Sequence, residues 1–190
     1  MRDNNFEKIN KLVHLRLKAL APELYYHSID HTLDVLKHSA RIGLKEGVDE
    51  HEMYLLKVAA LYHDAGFLET YIGHEEKSCA IFLQDAGKLN FTELDKKIIQ
   101  GLIMATKVPQ KPKTLLQKII CDADLDYLGR NDFPKITNRL KKEFLHYAII
   151  TSEAEWKKLQ KKFLKNHRYH TTSSQKLREP VKKMNYTNLE

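Results

Sequence analysis

Apolar residues recur at intervals of three and four along almost the whole chain, and no stretch sustains an alternation in steps of two. That spacing lays apolar side chains on one face of a 3.6-residue helix and argues against half-buried strands. Phe6, Ile9, Val13, Leu17 and Leu20 make one such stripe ahead of Pro22, and Ile29, Leu33, Leu36, Ala40 and Leu44 make another ahead of Gly47. Ser28, Asp49 with Glu52, Thr92, Thr114, and Ser152 with Glu155 stand where helix N-caps belong. Only 7 Gly and 5 Pro interrupt 190 residues, so long helices with few turns are expected. No internal repeat is visible. The expectation is an all-α chain: a compact single-domain helical bundle over residues 1–165, with a basic C-terminal extension, 166–190, packed on it or trailing from it. Beyond Tyr169 the helical pattern weakens into Thr171-Thr172-Ser173-Ser174 and a short polar segment.

Charge separates the same two parts. From Trp156 to the end there are ten Lys/Arg against two Glu, whereas the preceding residues set 22 basic groups against 23 acidic ones. A neutral body with a basic tail suits either a solvated amphipathic helix or a surface that attracts phosphate-bearing partners. The two cysteines, Cys79 and Cys121, lie in apolar helical contexts without CxxC spacing and read as buried free thiols in a reducing compartment. The N-terminal residues are polar and no apolar run approaches membrane-spanning length, so the expected location is cytoplasmic, with no membrane partner.

One stretch carries chemistry. The apolar run 55–60 leads into Leu61-Tyr62-His63-Asp64-Ala65-Gly66. A carboxylate buried beside an imidazole is costly unless a metal or another partner compensates it. Neighbouring side chains on a helix diverge by about 100°, so both reach one ion only where the helix ends or kinks, a turn that Gly66 is expected to permit. His31 sits beside Asp30 in the first turns of the second helix, and Asp122 and Asp124 close a later apolar helix containing Leu115, Leu116, Ile119, Ile120 and Ala123. Two imidazoles and two carboxylates from three helices make a mixed N/O site for a divalent ion such as Mn, Fe, Co, Zn, Ni or Mg. The cysteine spacing excludes thiolate zinc, and there is no HExxH. His14, His38, His51, His146 and His167 occupy mixed helix positions and read as surface or half-buried residues.

The order His31, His63-Asp64, Asp124 resembles the HD-domain superfamily of metal-dependent phosphohydrolases. The matching segments are Tyr-His-Ser-Ile-Asp-His-Thr at 26–32, Ala-Ala-Leu-Tyr-His-Asp-Ala-Gly-Phe-Leu at 59–68, Gly-His-Glu-Glu-Lys-Ser at 73–78 and Cys-Asp-Ala-Asp-Leu-Asp-Tyr-Leu-Gly at 121–129. The resemblance implies a helical domain in which His31, His63, Asp64 and Asp124 hold the ion. Asp122 then supports a ligand or caps a helix. The implied activity is hydrolysis of a phosphate ester or anhydride, in a nucleotide or similar small phosphorylated metabolite, by a metal-activated water. Asp64 and His74 are the candidate catalytic residues, and His74 and Lys77 the candidate phosphate contacts. His27 is a candidate for orienting His31, and Glu69 for positioning water. Apart from His74, no further His lies between the doublet and the last Asp, and Thr106 ends the helix where one might be sought, so one metal ion is expected. The alternative is a non-catalytic nucleotide or nucleic-acid binding module with a vestigial metal site, using the basic tail. In that tail Arg168-Tyr169-His170-Thr171-Thr172 could close over a nucleotide or dock the chain on its own body.

Overall fold

The computed structural model describes residues 2–189. Among these the chain is all-helical, as the periodicity predicts, with α1 (Arg2–Leu17), α2 (Ile29–Glu46), α3 (Glu50–Tyr62), α4 (His74–Ala86), α5 (Glu93–Ala105), α6 (Leu115–Asp124), α7 (Phe133–His146), α8 (Glu153–Asn166) and α9 (Thr172–Thr187). Two 3-10 turns, Ala65–Leu68 and Asp126–Gly129, follow α3 and α6. The boundaries are set by the expected caps. Asp49 with Glu52, Thr92 with Asp95 and Thr114 with Gln117 close reciprocal capping boxes, and Gly47 ends α2 in the left-handed conformation at φ 75°. Ser28 stands at the N-cap of α2 but its side chain makes no cap bond. Among the described residues no helix is long and apolar enough to cross a membrane.

Helix α3 is the centre. It is apolar almost all round, with Leu55, Leu56, Val58, Ala59, Ala60, Leu61 and Tyr62 buried, and it packs against α1, α2 and α5. Such a helix must be wrapped on every side. Helix α2 lies between α3 and α6, but not on the face that its leucines mark out. Leu33 is 39% exposed and Leu44 75%, while His31, Val35, His38 and Ile42 face inward. Those four also follow three- and four-residue spacing, so α2 carries two candidate stripes. The inner one wins because Gly43 lets α2 approach Met53 and Leu56, and because its buried polar groups find partners. His38, expected near the surface, is buried against Arg130, Asp34 and Asp126.

The C-terminal segment, read from sequence as weakly patterned, is helical and docked. Asp126, fully buried on the second 3-10 turn, pairs with Arg41 of α2 at 2.7 Å and with Arg178 of α9 at 2.8–2.9 Å. Gly129 lies so close to α9 that a Cβ there would meet the Arg178 carbonyl at 2.4 Å. Tyr169 is 2% exposed and its hydroxyl reaches the Leu125 and Asp126 carbonyls, so its ring is committed to holding the chain rather than stacking on a ligand. Asp122 accepts hydrogen bonds from the His170 and Thr171 amides and the Thr171 hydroxyl. It anchors this segment through those three bonds.

Gly66 has a different use from the sharp turn expected of it. It sits inside the first 3-10 turn, where a Cβ would fall 1.9 Å from the His74 carbonyl oxygen. It is the close approach of α4, not an unusual φ, that excludes a side chain. Gly101, inside α5, has ordinary space around it. In thermal unfolding, Gly66→Ala is expected to destabilise the fold by roughly 2–4 kcal/mol. Gly101→Ala is expected to stabilise it by about 0.5–1 kcal/mol.

Candidate metal centre

The doublet escapes the 100° divergence of helical neighbours because α3 ends between its members. His63 still has helical dihedrals, whereas Asp64 sits at φ −109°, ψ 7°, which swings its carboxylate back beside the preceding ring. Ser78 of α4 fastens this bend: its hydroxyl donates to the His63 carbonyl at 2.7 Å and accepts from the Gly66 amide at 2.8 Å. His63 Nδ1 lies 2.8 Å from the Ala60 carbonyl. A carbonyl only accepts, so Nδ1 carries the hydrogen and Nε2 is left to face the cluster.

Four side chains from the ends of α2, α3 and α6 meet there. His31 Nε2 is 3.4 Å from His63 Nε2, 3.4 Å from Asp64 Oδ2 and 3.2 Å from Asp124 Oδ1. His63 Nε2 is 3.2 Å from Asp64 Oδ2 and 3.8 Å from Asp124 Oδ1. Ligand atoms about 2.1 Å from a common ion stand roughly 3–4 Å from one another, so the spacing of His31, His63 and Asp124 suits a shared divalent cation, with Asp64 against both imidazoles. Asp64 Oδ2 supplies the sharper test. It is buried and accepts no hydrogen bond within the protein, a costly state for a carboxylate oxygen unless a cation meets it. The N/O donor set fits such an ion.

The electrostatics agree. Burial disfavours a charged His63, yet Asp64 and Asp124 outweigh it and raise its pKa to about 9. Burial likewise opposes ionisation of Asp64, but His63, then His27 and His31, hold it ionised well below the usual carboxylate range. The pocket thus attracts positive charge, as a proton or as a metal.

Next to the cluster stands a pair that the sequence did not disclose. His27, expected to orient His31, makes no hydrogen bond to it; their ring centroids are 6.0 Å apart. Its Nδ1 instead makes a short hydrogen bond to Glu143 of α7. Glu143 is wholly buried, and it also accepts from the Tyr26 amide at 2.8 Å, the His27 amide at 3.1 Å and the Tyr71 hydroxyl at 2.8 Å. Burial disfavours charge on both partners, but the bond prevails: Glu143 is held below and His27 above its ordinary pKa. One signal was available, because Glu143 lies on the same face of α7 as Ile136, Leu140 and Phe144. The His27 and His74 rings both stack against Phe67, at 4.2 and 3.9 Å from its centroid.

His74, at the start of α4, has Nε2 3.6 Å from Asp64 Oδ1 and Nδ1 3.2 Å from the Tyr71 carbonyl. It lines, with His27, Asp64 and Asp124, a cavity of about 470 Å³. Lys77 and Glu69 are not brought to that cavity. They pair with each other at 3.0 Å, each about half exposed. One turn along α4 from His74, Lys77 points to the outer side, where Glu69 offers it a partner.

The fold is a helical bundle whose helix ends gather two imidazoles and two carboxylates. The sequence model of the HD domain matches residues 28–127, more than half of the chain, and the protein belongs to the HD-domain family. The crystal structure of a predicted HD superfamily hydrolase from an uncultured Thermotogales bacterium is similar over 96% of this chain and 88% of its own, with a TM-score of 0.66 and 19% identity. At that identity the likeness establishes the fold. No protein of curated function matches the sequence significantly.

Because His63 titrates near 9 without metal, the cluster holds a proton at neutral pH that an incoming cation must displace. Calorimetric titration with Mn²⁺ in buffers of different ionisation heat is expected to show about one proton released per ion at pH 7.5, vanishing above pH ~10. Affinity should fall roughly tenfold per pH unit as pH drops below 9. Proton-independent binding would contradict this assignment of charge.

Proposed function

We propose that the protein is a metal-dependent phosphohydrolase acting on a phosphate ester or anhydride of a small metabolite, the nucleotides included. The observation that carries this reading is that Asp64 and Asp124 of the His31, His63, Asp64 and Asp124 cluster face a cavity also lined by His27, which Glu143 holds from behind. When bound by those four residues, a single divalent ion would lower the pKa of a bound water towards neutrality and polarise a phosphoryl oxygen.

The chain's own residues supply the rest. Glu143 accepts the Nδ1 hydrogen of His27 and stabilises the imidazolium, which leaves Nε2 as the nitrogen available to the cavity. As the phosphorus–oxygen bond breaks, that nitrogen delivers its proton to the leaving oxygen, and His27 becomes neutral. His74 is held by the Tyr71 carbonyl through Nδ1 and by its stack on Phe67, which turns its Nε2 toward Asp64 and the place of the phosphoryl group. Asp64 orients the attacking water. Phe67 packs against both imidazoles and holds their ring centroids 6.1 Å apart.

A colorimetric screen of phosphoesters and nucleotides with Mn²⁺, Co²⁺, Ni²⁺ or Mg²⁺ is expected to detect phosphate release. Asp64→Asn and His63→Ala should lose both bound metal and activity. His27→Gln and Glu143→Gln should keep the metal and lower kcat by roughly 10²-fold or more. No release from any compound by protein shown to contain metal would overturn the proposal.

A further inference from the structure

The cavity beyond the metal cluster is much larger than a phosphoryl group requires. Its volume of about 470 Å³ falls within the range of roughly 300–1,000 Å³ that suits a whole small-molecule ligand. Its far wall, from the second 3-10 turn, α7 and α8, presents Leu128, Leu140, Phe144, Trp156, Leu159 and Phe163. The polar pair in that wall is already satisfied, since the Gln160 amide donates to the Thr137 hydroxyl at 2.6 Å.

Charge is as restrictive as shape. The anions at the cavity are Asp64, Asp124 and Glu75, and besides the two imidazoles its cation is Lys107, which is half exposed and paired with Glu76. One divalent ion offsets two carboxylates, and within this cavity little remains to meet the further charges of a polyphosphate chain. The neighbouring cations stand outside it: in the smaller opening beside His31, Arg130 is tied to Asp34 and Asp132 and Arg139 to Asp30, next to Lys135, and Lys162 and Arg168 line an adjoining cavity of about 620 Å³.

From this we infer that the substrate is a phosphate monoester of an apolar alcohol, whose phosphoryl group sits at the cluster and whose hydrocarbon part lies along the α7–α8 wall. The inference rests on the phosphohydrolase reading above and narrows it from small phosphorylated metabolites in general to lipophilic monoesters. Hydrolysis breaks the phosphorus–oxygen bond with water, giving inorganic phosphate and the alcohol, which takes the proton from His27.

The test uses full-length, Mn²⁺-loaded protein and ethyl, butyl and hexyl phosphate, whose leaving groups are alike and whose apolar length differs, with ATP alongside. Each buried methylene contributes up to about fourfold in binding, so kcat/KM should rise at least tenfold from ethyl to hexyl phosphate and exceed that for ATP. Trp156 is the single tryptophan, 6% exposed in the cavity wall, and reports occupancy independently of turnover. Hexyl phosphate should change its emission saturably, and ethyl phosphate should not. Leu159→Lys, at an exposed position where α8 borders the cavity, should flatten the length dependence, and Leu159→Met should restore it. Hydrolysis that is indifferent to chain length, or that favours ATP, overturns this inference and leaves the phosphohydrolase reading standing. Saturable Trp156 quenching by hexyl phosphate with no hydrolysis of any ester overturns the hydrolase reading and supports the cavity assignment. Neither hydrolysis nor quenching overturns both.

Discussion

The structure depends on how it compensates carboxylates taken out of water. An ionised side chain in a helical core costs more than hydrophobic contacts nearby can return, unless cations or N–H groups meet it. Asp126 has Arg41 and Arg178, Glu143 has two amides, a tyrosine hydroxyl and His27, Asp122 has the start of the C-terminal segment, and Asp85 has Arg16 and Tyr62. Each of these bonds also joins elements far apart in sequence, so the buried acids act as fasteners. Asp64 differs from them in what faces it: its Oδ2 is buried and meets only two imidazole nitrogens, at 3.2 and 3.4 Å, where Asp126 Oδ2 meets an arginine at 2.8 Å. Imidazoles can exchange a proton for a metal ion, and a guanidinium cannot.

The same bookkeeping explains how the centre and the cavity are coupled. Helix α7 brings Leu140 and Phe144 to the apolar wall and Glu143 to His27, so one helix shapes the cavity and favours charge on the imidazole beside it. Tyr71 adds a second tether, linking the loop before α4 to Glu143 while its carbonyl holds His74. The cavity, the His27–Glu143 pair and the His/Asp cluster therefore come from contacts among α2, α3, α4, α6 and α7 that no short segment contains.

Much of the fold was legible in the sequence because it follows from local rules. Three- and four-residue spacing and the capping boxes at Asp49, Thr92 and Thr114 act within one or two turns, and they predicted the helices and many of their starts. Two elements were misread where packing overrode pattern. Helix α2 has a leucine stripe and a mixed stripe, and the mixed one is buried because ion pairs and a close approach at Gly43 reward it. Helix α9 buries Ser174 and Lys182 rather than an apolar face, so the periodicity that would announce it is absent; Asp126 and Arg178 hold it instead.

The sequence by itself determined that the chain is helical, that His31, His63, Asp64 and Asp124 fall at or near helix ends, and that their motif order matches the HD-domain family. Propensity, capping and motif spacing are properties of neighbouring residues, and a single chain displays them. Only the tertiary structure decided that Glu143, 116 residues away, pairs with His27 rather than leaving it to His31, and that Lys77 and Glu69 take each other as partners. It also decided that the space beside the cluster is walled by apolar side chains. Those outcomes depend on which groups meet after the helices pack, and burial assigns each charged group its partner only at that point.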